Sequence, residues 1–354
     1  MSGILVTGGA GFIGTNFLRF LRKARPHWHL INLDLLTYAG NPENLMDLAG
    51  DPHYTFVRGD VADGELVASL FARYAITRVV HFAAETHVDR SILDPAVFVR
   101  TNVLGTFNLL EAARLAWKDF KGEEAPRFLH ISTDEVYGSL GFQDPPVTEE
   151  APYAPSSPYA ASKAAADWLV RSYFRTYELP ALITNCSNNY GPYQFPEKLI
   201  PFSLCQALEQ KPIPIYGEGA NVRDWLFVED HCRALLLVLE QGQSGETYNI
   251  GGLQEKPNLE LVRLLLRLLR EMRPDLGDLL PLITFVPDRP GHDERYALNI
   301  GKIGRALGWR PQVGLEEGLR RTISWYLDHP EWLQRVRSGA YRTYLRQQYG
   351  EKVV

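Results

Sequence analysis

The stretch ILVTGGAGFIGTNFLRFLRKA, residues 4–24, decides the fold. ILVTG (Ile4–Gly8) is a short β-type run. FIGTNFLRFLRKA, from Phe12, follows as a helical pattern. Between the two, Gly9-Ala-Gly11-Phe-Ile-Gly14 fits G-x-G-x-x-G. Alone, such a match is only a glycine-rich turn. After a strand and at the start of a helix, it predicts a tight turn whose backbone approaches a ligand closely.

The alternation continues outward. HLINLD (His29–Asp34), YTFVRGD (Tyr54–Asp60), RVVHFAA (Arg78–Ala84), RFLHIS (Arg127–Ser132) and ALITNCS (Ala181–Ser187) read as strands. Helical patterns intervene, notably over 95–117 and 159–177. Strands alternating with helices of this length imply parallel βαβ units: an α/β, Rossmann-type doubly wound parallel sheet. After Asn188 the pattern loosens into YGPYQFP and KPIPIYGEG, although Leu259–Met272 reads as an amphipathic helix. A smaller, irregular C-terminal substrate domain is expected there. The division is 1–190 for the Rossmann domain and 191–354 for the second, with the segment near 222–252 (VEDHCRALLLVLE, then TYNIGG) returning to the first.

The chain has 354 residues, 45% apolar and 22% charged, enough to bury a substantial core. A net charge of −5, with no basic run, argues against nucleic acid as a partner. No apolar stretch is long enough for a bilayer, and MSGILVTGG enters a strand pattern directly, so a soluble cytoplasmic protein without membrane partners is expected. Cys186, Cys205 and Cys232 are odd in number and lack metal-ligand spacing. They read as small buried hydrophobes, and no metal is expected.

Ligands of such sheets bind beyond the carboxyl ends of the strands. Asp34 ends the second strand about 20 residues past the last glycine, the offset of a ribose-binding acid. Its charge repels a 2′-phosphate, and Leu35-Leu36 supply no arginine, so NAD is favoured over NADP. Asp60-Val61 follow the third strand as an adenine contact, although Asp60 also suits a turn cap. Gly8, Gly11, Phe12, Ile13, Gly14, Leu35, Thr37, Phe82, Ala83 and Ala84 complete the candidate cofactor set at these strand ends.

Tyr159 and Lys163 stand at i and i+4 on one helix face. Alone, the pair is a common surface pattern. A nearby ammonium, together with a cationic nicotinamide, favours the phenolate and makes Tyr159 a base for a hydroxyl proton. In HISTDEVYG (His130–Gly138), Asp134 and Glu135 are adjacent carboxylates at a strand end, otherwise the mark of a solvated turn. Along an extended strand neighbours face opposite ways, so both can serve one site only if the chain turns there. Two nearby carboxyls also push one pKa upward, allowing one acid and one base. Adjacency leaves open which is which.

Together these residues resemble the extended short-chain dehydrogenase/reductase family, whose catalytic Ser/Thr, Tyr and Lys match Thr133, Tyr159 and Lys163. The likeness covers nearly the whole chain and narrows through VTGGAGFIG, LTYAGN, HFAAETHVDRS, STDEVYG, SPYAASKAAAD, NCSNNYGPYQFPEKLIP, GEGANVRDWLFVEDH and RPGHDERYA to the branch that dehydrates dTDP-glucose. The resemblance implies a hydro-lyase that oxidises C4 of the sugar, eliminates water across C5 and C6, and returns the hydride to C6, feeding deoxysugar synthesis such as that of rhamnose. It implies Asp134 as acid at the C6 oxygen and Glu135 as base at C5. It also implies Thr101 and Asn189 on the cofactor side, with Tyr159 and Lys163. Thr86, Thr133, Asn188, Lys198, Leu199, Pro214, Ile215, Tyr216, Arg223, Asn258, Arg289 and His292 would contact the nucleotide-sugar, Arg223 and Arg289 as anchors for its diphosphate. Thymine specificity rests on the likeness alone. It further implies a homodimer through the helices near Thr101–Trp117 and Ser162–Tyr177.

A nucleotide-sugar 4-epimerase or decarboxylase of the same fold shares the cofactor and Tyr/Lys features but has no evident use for Asp134-Glu135. A non-catalytic NAD-binding regulator has no use for Tyr159 and Lys163 either. His81 and His130, in apolar strands, read as satisfied core histidines, the 261–270 stripe as an amphipathic surface helix, and Asp293 and Arg295 as partners of one another or of local backbone.

Overall fold

The computed structural model describes residues 3–122, 125–288 and 291–337. In chain order it begins β1 (Gly3–Thr7), α1 (Phe12–Ala24), β2 (His29–Asp34), β3 (Tyr54–Arg58), α2 (Gly64–Arg73), β4 (Ile76–His81), α3 (Val88–Leu93) and α4 (Pro95–Phe98). Then come α5 (Gly105–Trp117), β5 (Arg127–Thr133), α6 (Pro158–Tyr177), β6 (Ala181–Cys186), β7 (Asn188–Tyr190), α7 (Leu199–Leu208), β8 (Ile213–Tyr216) and β9 (Val222–Phe227). It continues with α8 (Val228–Gln241), β10 (Thr247–Ile250), β11 (Glu255–Pro257), α9 (Asn258–Met272), β12 (Ile283–Val286), α10 (Gly301–Leu307), α11 (Leu315–Asp328) and α12 (Pro330–Val336).

Seven strands form one sheet in the order β10-β6-β5-β4-β1-β2-β3, paired in parallel throughout. The order reverses beside β1, where such sheets open a crevice at the carboxyl ends of their strands. Successive side chains of a strand point to opposite faces, and each face has its own core. Ile4 and Val6 pack with Phe17, Leu18 and Leu21 of α1 and with Leu235 and Val238 of α8. Leu5, between them, packs with Val67 and Leu70 of α2, Leu109 of α5 and Val170 of α6. Each such side chain, fully buried, contributes about 1.5–3 kcal/mol.

Segment 222–252 divides its allegiance. β10 extends the main sheet beside β6, and α8 packs on its face. β9 instead lies between β11 and β7 in a three-stranded sheet. β8 and β12 pair in parallel, and a third core joins Leu204 of α7, Ile213 and Ile215 of β8, Leu261 and Leu265 of α9, and Leu319 of α11. The Leu261–Arg270 stripe buries its leucines there. The 95–117 helical stretch is interrupted by one π-type segment at Val99–Leu104.

α12 reaches back to the first turn of the chain. Trp332 Nε1 donates to Asn44 Oδ1 at 2.7 Å, and Asn44 Nδ2 donates to the Ala10 carbonyl at 3.4 Å.

Candidate active site

The turn after β1 is built for close approach. Gly8 has φ +72°, a conformation side-chain-bearing residues rarely adopt, and a Cβ there would lie 2.7 Å from the Ala83 nitrogen. A Cβ on Gly14 would lie 2.3 Å from the Gly8 carbonyl oxygen and 2.7 Å from Gly9 Cα. α1 begins directly behind this turn, with no side chain capping its first amides. Those amides and the helix dipole suit an anion. Asp34 is held across the turn: its carboxylate accepts from Ala10 N at 2.9 Å and Leu36 N at 2.8 Å. Burial raises its pKa, and these two amides oppose the rise. Asp60 caps its turn through Ala62 N at 2.8 Å and pairs with Arg100 at 2.9 Å.

β5 ends at Thr133, whose hydroxyl accepts from Glu135 N at 3.3 Å and so caps a one-turn 3₁₀ helix, Asp134–Tyr137. This turn meets the condition set by strand alternation: both carboxylates line the same cavity, with Thr133. The Thr133 hydroxyl donates to Asp134 Oδ1 at 3.2 Å. Asp134 is buried, and its pKa is held well above the usual carboxylate range, first by desolvation and then by the Glu135 charge, against Arg223. Both causes favour its protonated form. Glu135 is partly exposed.

Ser157 caps α6 by accepting from Ala160 N at 3.1 Å, with Pro158 at the first helical position. That start sets the rotation that buries Tyr159 and Lys163 together. Lys163 Nζ donates to the Ile131 carbonyl at 2.7 Å, and burial lowers its pKa to about 8. Tyr159 departs from the simple reading of the pair. Burial and the Glu135 charge hold its phenol well above the ordinary value, and a hydroxyl contact with Thr133 pulls only partly the other way. Among the described residues these influences favour the neutral phenol, and a positive charge placed beside it would act the other way.

One cavity of about 460 Å³ is lined by every described residue of the candidate cofactor, catalytic and substrate sets, from Gly8 and Asp34 through Thr101, Tyr159 and Asn189 to Lys198, Pro214, Asn258 and His292. Arg289 lies outside the described residues. The anchors are partly engaged: Arg223 donates to the carbonyls of Val222 at 2.8 Å and Asp293 at 2.9 Å and lies over the Tyr296 ring, while Lys198 donates to the Thr86 carbonyl at 3.2 Å. His292 Nδ1 lies 2.6 Å from Asp288 Oδ1.

Asp293 and Arg295 do not pair with one another. Arg295 makes a two-pronged pair with Glu255 at 2.6 and 3.0 Å and donates to the Asp144 carbonyl, while Asp293 accepts from the Tyr296 hydroxyl. His81 is satisfied by Thr7 and Thr106, at 2.7 and 3.0 Å. His130 is less so: its Nδ1 is buried without a partner. Sequence reasoning missed Glu197, a buried carboxylate lining the cavity, whose Oε1 accepts from Tyr38 OH at 3.0 Å. Its position beside Lys198 was the only signal. Glu85, His87 and Tyr296 join the lining without one.

The chain is similar to known proteins over nearly its whole length. The family model described as GDP-mannose 4,6 dehydratase matches residues 5–322. A dTDP-glucose 4,6-dehydratase of Neisseria meningitidis is 55% identical over 349 residues, 97% of this chain and 98% of that protein. dTDP-glucose 4,6-dehydratase 1 of Escherichia coli is 52% identical over 98% of each chain. The crystal structure of a dTDP-glucose 4,6-dehydratase from Streptomyces venezuelae, solved with NAD bound, superposes with a TM-score of 0.86 at 48% identity, covering 94% of this chain and 99% of that one.

Proposed function

Because the chain belongs to the family described by the GDP-mannose 4,6 dehydratase model, within the extended short-chain dehydrogenase/reductases, we propose that it converts dTDP-glucose to dTDP-4-keto-6-deoxyglucose and water. The observation that carries this reading is the turn at the end of β5, which brings Asp134 and Glu135 into one cavity with Thr133, Tyr159 and Lys163. A 4-epimerase needs the last three and has no work for the carboxyl pair.

The residues fit NAD: the glycine turn is a cradle that a Cβ would fill, and Asp34 stands at the neighbouring strand end. Bound there, NAD supplies a hydride acceptor and donor for the sugar and a cationic ring. Tyr159 takes the proton of the C4 hydroxyl, with Thr133 and the Lys163 ammonium as its support. A C4 ketone makes the C5 hydrogen acidic, since the carbanion formed is an enolate. Glu135 removes that proton and later returns one to C5. Asp134, whose protonated form is favoured by burial and by the Glu135 charge, protonates the C6 hydroxyl so that it leaves as water. The diphosphate is read against Arg223, Lys198 and the β8 and α9 side of the cavity, on the unit built around the third core. The product would enter deoxysugar synthesis.

A homodimer is part of the proposal. Leu104, Phe107, Leu115, Trp168 and Tyr177 leave apolar side chains exposed on the helical stretch 99–117 and on α6, and a second copy is read as their cover. Sedimentation should give twice the chain mass. The activity is tested by incubating the protein with dTDP-glucose in heavy water. Loss of one water with one deuterium gained at C5 is expected, and an unchanged sugar mass would overturn the assignment.

A further inference from the structure

Asp167 lies one helical turn beyond Lys163 on α6, as Lys163 lies one turn beyond Tyr159, and all three face inward. It is buried completely and takes no part in lining the cavity. Its Oδ2 accepts from Ser132 Oγ at 2.8 Å and from Tyr153 OH at 2.9 Å, and its Oδ1 lies 3.2 Å from His130 Nε2. His130 Nε2 is also 3.4 Å from Lys163 Nζ. The mechanism above gives this carboxylate no role, yet a buried charge without a partner is among the costliest features a fold can carry.

The groups facing Lys163 come from four elements: His81 on β4, His130 on β5, Cys186 on β6 and Asp167 on α6 itself. Both histidines are driven well below their ordinary pKa by burial, so they stay neutral. Cys186 is pushed up to about 12 and stays a thiol. Asp167 is thus the anion of this nest. It is the largest counterforce to the burial that pulls Lys163 down, and Lys163 is the largest counterforce to the burial that pulls Asp167 up to about 6. Arg171, which donates to Tyr153 OH at 3.2 Å, is the other cation facing Asp167.

We propose that Asp167 is a positioning residue for the reaction: as the buried anion across His130 from Lys163 it keeps that ammonium charged, so that Tyr159 can release its proton. This rests on reading Tyr159 and Lys163 as the proton-handling pair. Asp167→Asn separates charge from shape, because the amide oxygen still accepts from Ser132 and Tyr153. Losing the anion lets Lys163 deprotonate at lower pH and leaves the Tyr159 phenolate less favoured.

Turnover of dTDP-glucose by the NAD-loaded protein should follow a bell-shaped pH profile, with Lys163 on its alkaline limb. In Asp167→Asn that limb should move down by about one pH unit and kcat at pH 7.5 should fall about threefold, with KM unchanged. In a Lys163→Met background, Asp167→Asn should cause no further loss, since Asp167 acts through Lys163. Tyr153→Phe, which removes one hydrogen bond to Asp167 outside the cavity, should move the limb the same way by less. Lysine-selective NMR reads the same property without turnover: the Lys163 signal, assigned by its absence in Lys163→Met, should titrate near pH 8 in the parent and about a unit lower in Asp167→Asn. An unmoved Lys163 titration, or equal losses in the parent and Lys163→Met backgrounds, overturns the inference. If Asp167→Asn does not fold, an unmoved limb in Tyr153→Phe does so. A parent protein inert toward dTDP-glucose whose Lys163 still titrates as described would instead refute the functional reading.

Discussion

Gly14→Ala is a small change with a large expected effect. The new methyl would sit 2.3 Å from the Gly8 carbonyl oxygen, where ordinary contact begins at 3.4 Å, so the turn must open by about 1 Å. Both obstructing atoms are backbone, which cannot swing aside as a side chain could. The turn is also tied down: Gly8 N donates to the Leu33 carbonyl at 2.9 Å, and Thr15 Oγ1 donates to the Gly9 carbonyl at 3.1 Å. Overpacking a rigid site costs about 1–3 kcal/mol, and losing one of these bonds adds about 1 kcal/mol. The same displacement moves the backbone away from the cofactor, so NAD affinity should fall by about tenfold or more. Equilibrium dialysis with NAD and thermal melting, each run beside Gly50→Ala, would measure this. A Cβ on Gly50 meets nothing within 4 Å, so that variant should behave as the parent. Gly14→Ala with NAD affinity within twofold of the parent would refute the close-approach argument.

Asp134→Asn keeps the side-chain shape and the bond from Thr133 but has no acidic proton; kcat should fall about 10²–10⁴-fold with KM little changed, and a loss under tenfold would remove Asp134 as the acid. Trp332→Phe leaves the buried Asn44 Oδ1 without its donor, which should cost about 1–3 kcal/mol in chemical denaturation and weaken NAD retention; an unchanged midpoint argues against the link. His231 is buried and held at about 3, whereas the unfolded chain protonates it near 6.5. The unfolded state therefore binds more protons in between, and stability should fall as pH drops from about 6.5 toward 3, by up to about 1.4 kcal/mol per unit from this group. His81 and His130 act in the same direction. Urea midpoints at pH 7, 6 and 5 would show the slope, and His231→Gln should flatten it; a variant as pH-sensitive as the parent would contradict this account.

The first glycine turn and the strand ends were legible because they are local: period, glycine placement and the Asp34 offset all lie within one βαβ unit. The Tyr159/Lys163 face was legible for the same reason. What resisted reading depends on distant partners. Adjacency could not say that Asp134 and Glu135 share a cavity; the Thr133 cap and the 3₁₀ turn decide that. Arg295 reads in sequence as a partner for Asp293 or for local backbone, and only the fold brings Glu255 within 2.6 Å of it. Glu197 passed unnoticed because its burial depends on Tyr38, 159 positions away. The phenol of Tyr159 is pushed upward by burial and by Glu135, neither of which the helical spacing reveals.

The bond from Trp332 to Asn44 also bears on the order in which the protein is made. Synthesis runs from the N-terminus, and early segments can fold as they emerge. The glycine turn emerges well before the strut behind it, which comes from α12. A nascent chain can thus carry a finished sheet and an unfinished cofactor cradle until α12 has emerged. Capture of NAD then waits on α12, and chains cut short before residue 332 should leave the ribosome folded about their sheet but poor at keeping the cofactor.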